Sequence, residues 1–152
     1  MPLPKPEFPD YDPSFDGLIR GAGEQSHDGV PGYLGLRVTQ VGPGQLTGQL
    51  EVRDELLNPF GTLHGGVIAA LVDHVLGAVL YPVIQRGAWA ATTEFKLNLL
   101  APVRSGVVAA EATIVSKTKR TAVVRIDVTN DGRAAGAAQG TVTIVPPRAE
   151  TL

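Results

Sequence analysis

Between His64 and Tyr81 the chain runs without a proline and carries Ala, Leu, Val and Ile on nearly every helical face. A helix that is apolar nearly all round belongs in an interior, so the rest of the chain has to enclose it. The flanking segments have the pattern to do that. After Tyr33, residues Leu34, Leu36 and Val38 alternate with small or polar neighbours, and beyond a Gly42-Pro43-Gly44 turn Leu46, Gly48, Leu50 and Val52 do the same, which predicts a β-hairpin. The stretch Asp54 to Leu63, with Asn58-Pro59-Phe60-Gly61 inside it, reads as a loop feeding the helix. Downstream, Trp89, Ala91, Thr93, Phe95, Leu97 and Leu99 fall on one face of a strand whose other face carries Thr92, Glu94, Lys96 and Asn98. Val108, Ala110, Ala112 and Ile114, then Ala122, Val124, Ile126 and Val128, give the apolar faces of two further strands joined by a basic turn around Lys119. Asn130-Asp131-Gly132 signals a tight turn into a last strand, Ala134 to Val145, which stops at Pro146-Pro147. The order ββαββββ predicts an α+β fold, a curved antiparallel sheet wrapped around one long central helix.

At 152 residues, with 43% hydrophobic and 18% charged residues, the chain is large enough for one packed domain. Its formal net charge of -2 offers no field to recruit nucleic acid or an anionic membrane, and neither is an expected partner. Cysteine is absent, which excludes disulfides and thiolate chemistry and fits a cytoplasmic setting. Neither a signal peptide nor a spanning helix is expected, since the apolar stretch Val67 to Tyr81 is interrupted by Asp73-His74. Residues 1–30, punctuated by Pro2, Pro4, Pro6, Pro9 and Pro13, read as an extended arm, residues 31–147 as the folded domain and residues 148–152 as a tail.

The residues with chemistry to offer cluster in Asn58-Pro59-Phe60-Gly61-Thr62-Leu63-His64-Gly65-Gly66, followed by Asp73 in Leu71-Val72-Asp73. With Asn98-Leu99-Leu100-Ala101-Pro102 and Val128-Thr129-Asn130, this pattern resembles the hotdog-fold acyl-CoA thioesterases of the phenylacetate-degradation (PaaI-like) type over roughly residues 33–145. The resemblance implies hydrolysis of an acyl-CoA thioester by a homo-oligomer, a dimer at minimum and expected to be a tetramer, with no cofactor beyond the CoA of the substrate. It places Asn58 and His64 where they help shape the thioester site, and Thr92 where a related enzyme has a serine that positions water.

Thioester hydrolysis needs a carboxylate to attack or to activate water, and a hydrogen-bond donor where the oxyanion develops. Asp73 supplies the first. The Gly65 amide, at the positive end of the helix and without an intrahelical acceptor, supplies the second. Gly65 and Asp73 are eight positions apart, which on one helix is roughly 12 Å along the axis, too far for one carbonyl to meet both. A site using both therefore draws them from two subunits across a two-fold axis. Asp73 in an apolar helix favours function over structure, whereas His64 as a helix cap, Asn58 as a turn residue and Thr92 as an ordinary strand residue are competing structural readings. Gly66 reads as a packing residue. His64 and His74 are ten positions apart and complete no metal set. His74 points about 100° round the helix from Asp73, and an interface position is expected for it. Lys117, Lys119 and Arg120 crowd one turn that could hold CoA phosphates or simply be a solvated tip; the family usually has a glycine where Thr118 stands. Trp89, Phe95, Phe60 and Leu99 are candidate pocket walls. Two other activities share the ligand class: a hydratase or isomerase, for which this helix lacks the His and Asp arrangement, and a non-catalytic acyl-CoA-binding protein.

Overall fold

The computed structural model describes residues 5–25 and 29–149. In chain order it forms α1 (Ser14–Gln25), α2 (Gly29–Leu34), β1 (Arg37–Gly42), β2 (Gln45–Glu51), α3 (Gly65–Ala78), β3 (Trp89–Leu99), β4 (Val107–Lys117), β5 (Thr121–Asn130) and β6 (Arg133–Val145). The strands make one antiparallel sheet in the order β1-β2-β4-β5-β6-β3, so the chain passes through α3 and joins β3 at the far edge. This is the hotdog arrangement, with α3 lying in the curve of the sheet.

Alternation on the strands and the helical period on α3 meet in one core. Leu71, Val72, Val75 and Leu76 pack within the same buried cluster as Leu46 and Leu50 of β2, Val108 and Ile114 of β4, Val124 and Ile126 of β5 and Val142 of β6. Gly48 has a specific role here. A Cβ at that position would lie 2.7 Å from Val75 Cγ1, so the missing side chain is what lets α3 settle onto β2. The enclosure of α3 is incomplete, however. Gly66 and Asp73 are exposed and Ala70 and Gly77 only half-buried, which leaves a narrow face of small residues and one carboxylate uncovered by the chain's own sheet.

Three expectations need correction. The extended arm over 1–30 is overturned across Ser14–Gln25, which is helical, and α2 begins at Gly29; residues 1–4 and 26–28 lie outside the described residues. The prolines of the arm end at Pro13, and across it Asp12 Oδ1 accepts from Ser14 N (3.0 Å) and Ser14 Oγ (2.6 Å), satisfying donors at the start of α1. Second, Leu34 closes α2 instead of opening a strand; the left-handed Gly35 (φ 68°) breaks the helix and β1 starts at Arg37. Third, β3 changes phase partway along. A bulge between Thr92 and Glu94 sets Ala90 and Thr92 opposite Ile144 and Val142, and then Phe95 and Leu97 opposite Gly140 and Ala138. Because directly paired residues share a face, Ala90, Phe95 and Leu97 turn toward the core, while Trp89, expected inside, is 54% exposed. The expected hairpin turn at Asn130-Asp131-Gly132 is present, with Asp131 (φ 48°) and Gly132 (φ 80°) both left-handed as a two-residue turn between twisted strands requires.

Candidate active site

The loop before α3 is held by one side chain. Asn58 Oδ1 accepts from Phe60 N (2.9 Å) and Thr62 N (3.2 Å), its Nδ2 donates to Thr62 Oγ1 (2.7 Å), and Asn58 N donates to Thr62 O (2.7 Å). Gly61, at φ 73°, completes the turn. Asn58 thus builds the loop that aims the helix start, and Phe60 stands at its tip 86% exposed. Leu63 N donates to Val103 O (2.7 Å) and His64 N to Leu56 O (2.9 Å), tying the loop to its neighbours on both sides.

His64 is the N-cap of α3: its Nδ1 accepts from Gly66 N at 2.8 Å, so in the neutral ring the proton sits on Nε2, directed away from the helix. A Cβ at Gly66 would come within 2.9 Å of that Nδ1, which explains the second glycine as room for the imidazole. Val67 N and Ile68 N turn back to His64 O. Among the described residues nothing accepts from the Gly65 N–H, the first amide of α3. That donor opens onto a chamber of about 250 Å³ lined by Asn58, Thr62, Leu63, Gly65, Ile68 and the run Leu99 to Val103.

Asp73 lies two turns further along α3, exposed and without an ion-pair partner among the described residues. His74 beside it is half-buried on the helix flank. Burial pushes its imidazole below the ordinary histidine value of 6.5, and the negative charge of Asp73 opposes that only in part. Thr92 faces the concave side of the sheet, not the outer side expected for it, because the bulge follows it; its neighbour Thr93 points outward and shares a 2.7 Å hydrogen bond with Thr143.

Lys117, Lys119 and Arg120 stand apart from Gly65. They line a cavity of about 690 Å³, together with Arg86, Asp10 and Asp12, at the end of the molecule where β3 begins. Thr118 needs no left-handed backbone: its Oγ1 accepts from Arg120 N (3.2 Å) and Thr121 N (3.0 Å), so a hydroxyl closes the turn. Sequence reasoning missed the opposite wall of this cavity. Asp12 pairs with Arg86 at 2.8 Å, Arg86 also donates to Ser14 Oγ and stacks on Phe15, and Asp12 N donates to Pro82 O. The hydrogen bonds from Ser14 and the guanidinium of Arg86 hold the Asp12 carboxyl below the ordinary carboxylate range.

A helix lying in the curve of a six-stranded antiparallel sheet defines a hotdog protein, here with a free amide at the helix's first residue and a carboxylate two turns on. The thioesterase superfamily model matches residues 60–137. The chain is 31% identical to the 1,4-dihydroxy-2-naphthoyl-CoA hydrolase of Listeria monocytogenes over 68% of its own length and 84% of that protein's. It is 28% identical to human acyl-coenzyme A thioesterase 13 over 69% of its length and 75% of the relative's. The structure of a mutant of the phenylacetic acid degradation protein PaaI from Thermus thermophilus superposes with a TM-score of 0.67 at 31% identity, covering 73% of this chain and 94% of that one. The chain belongs to the thioesterase superfamily, and it is a thioester hydrolase.

Proposed function

We propose that the protein hydrolyses acyl-CoA thioesters at sites shared between two copies, each site combining the Gly65 amide of one copy with Asp73 of the other. The observation that carries this reading is the pair of unsatisfied groups on α3, a free amide and an exposed carboxylate, set roughly 12 Å apart along one helix. Antiparallel apposition of two α3 helices brings each amide to the other copy's carboxylate. The uncovered stripe of Gly66, Ala70 and Gly77 beside Asp73 lets two helix backbones approach closely.

In such a site the Gly65 N–H, reinforced by the helix dipole, binds the thioester oxygen and strengthens its hold as negative charge develops there. Asp73, acting on a water or as the nucleophile itself, delivers the oxygen to the carbonyl carbon. Where water adds, Asp73 takes its proton and passes it to the thiolate as the C–S bond breaks, and the acid is released. Where Asp73 adds directly, the C–S bond breaks to leave a mixed anhydride on Asp73, which water hydrolyses to the acid while the thiolate takes up a proton. Asn58 fixes the loop, His64 caps the helix with Nε2–H available to the substrate, and Thr92 offers a hydroxyl from the concave face. Lys117, Lys119 and Arg120 bind the CoA phosphates. Val83, on the wall of their cavity, lies ten positions beyond Asp73, roughly 15 Å at helical rise, whereas the chamber at Gly65 of the same chain adjoins the opposite end of β3. One substrate therefore reaches the cations and Asp73 of one copy and the amide of the other.

Steady-state thiol release over a panel of acyl-CoAs tests the reading. Asp73→Asn and Asp73→Ala should each lower kcat at least about 10²-fold with the fold intact, the scale expected for removal of a catalytic base. Undiminished turnover in both variants removes Asp73 from the chemistry. Binding without turnover by the wild type makes the protein a carrier.

A further inference from the structure

Three features of the chamber beside Gly65 say what it accepts. Its lining includes no ionisable side chain: Leu63, Ile68, Leu99, Leu100, Ala101, Pro102 and Val103 are apolar. Of its two polar members, Asn58 and Thr62, the amide and hydroxyl are already bonded to each other at 2.7 Å. With the Gly65 N–H taken by the thioester oxygen, a charged group at the far end of the acyl chain would lose its hydration with no ionisable partner in the lining, which costs several kcal/mol. The chamber is also small. At about 250 Å³, and at roughly 30 Å³ per heavy atom, the share of one water molecule in the liquid, it holds about eight heavy atoms.

One residue joins this chamber to the reacting centre. A Cβ built on Gly65 would meet Leu99 Cδ1 at 2.9 Å, so the leucine rests against the α-carbon of the residue that offers the free amide. Leu99 ends β3 opposite Gly136, on the inward face set by the bulge, and is nonetheless 55% exposed. In a single copy this leucine is an apolar surface beside the Gly65 amide, placed to contact the first carbons of an acyl group bound there.

We infer that the chamber between Leu99, Ile68 and Val103 is the acyl pocket, that it takes uncharged acyl groups of up to about eight heavy atoms, and that Leu99 sets this limit. The inference rests on the thioesterase reading of the Gly65 site. Leu99 is the residue to vary because its exposure makes truncation cheap for the fold, whereas Ile68 is buried.

The test is kcat/KM for straight-chain acyl-CoAs from acetyl to palmitoyl, with benzoyl-CoA and succinyl-CoA added, for wild type, Leu99→Ala, Leu99→Trp and Asp73→Asn. In the wild type each added methylene should raise kcat/KM about fourfold until the pocket is full near octanoyl, and succinyl-CoA should be rejected. Leu99→Ala removes three carbons and should move the break two or three carbons longer; Leu99→Trp should move it shorter. If both variants keep the wild-type break, or shift KM equally for every substrate as a wall of the CoA arm would, the assignment of Leu99 is overturned while the Asp73 reading stands. Wild-type inactivity on every thioester overturns both. Loss of activity in Asp73→Asn with an unmoved chain-length break separates the two.

Discussion

Single residues at the start of α3 divide the work of making a free amide. Asn58 shapes the loop, His64 takes the second amide of the helix, and Gly66 leaves space for that imidazole, so that only the Gly65 N–H remains to face the chamber. Gly66→Ala should displace the ring, and loss of the cap costs about 1 kcal/mol, read as a fall of a few degrees in Tm. If the cap also orients the site, kcat falls with it, and activity assays on the same preparation show whether it does. His74 gives a second prediction at this scale. Its folded-state affinity for a proton is lowered by burial, so below about pH 6.5 the unfolded chain binds a proton that the native one resists. Stability contributed by the neutral ring is therefore present above that pH and declines on acidification. His74→Gln should flatten denaturation midpoints between pH 7 and 5 relative to wild type, and an unchanged slope would show that other groups carry the acid sensitivity. The motif residues Asn58, His64, Gly65 and Asp73 were legible in the sequence from the spacing that resembles the family. The division of labour among them was not, because nothing in the letters says which of several amides a histidine will cap.

Elements tell a similar story. α3 follows from an unbroken apolar run, the hairpin turn at Asp131-Gly132 from its turn residues, and the paired faces of β4 and β5 from alternation that burial on one side enforces. Helices α1 and α2 and the bulge in β3 escaped. In α1 the helical spacing of Phe15, Leu18 and Ile19 was present but overshadowed by the prolines before it, and its anchor, Arg86, comes from a distant part of the chain. Arg86→Ala should raise hydrogen exchange through Ser14–Gln25 and leave the sheet protected. The bulge in β3 lacks a glycine or proline to announce it; its reason lies on the partner strand. A Cβ at Gly140 would sit 2.6 Å from Glu94 O and Phe95 Cβ and 3.1 Å from Leu76 Cδ2, so β6 yields space just where β3 gains a residue. Gly140→Ala forces backbone apart and should cost about 1–3 kcal/mol, measured as a lowered denaturant midpoint with no change in slope.

At the scale of the whole molecule, the proposed sharing of sites between two copies is open to a direct test. Gly65→Pro removes the N–H at a helical position that proline tolerates, and His64 already holds the extended backbone (φ -61°, ψ 132°) that a following proline demands. Mixed and refolded together, inactive Gly65→Pro and inactive Asp73→Asn chains should recover roughly one quarter of wild-type activity, because half of random pairs are mixed and each mixed pair holds one intact site of two. No recovery would place both groups of a site in one chain. The sheet itself bears on how many copies can join. Its β1 edge is six residues long, bulged between Val38 and Gln40 and packed by α1, whereas its β3 edge runs eleven residues with one side of its ladder unpaired among the described residues. A chain with two open edges polymerises, each addition exposing the next template. With a single usable edge the valence is one, and growth by strand addition ends once that edge meets its own copy.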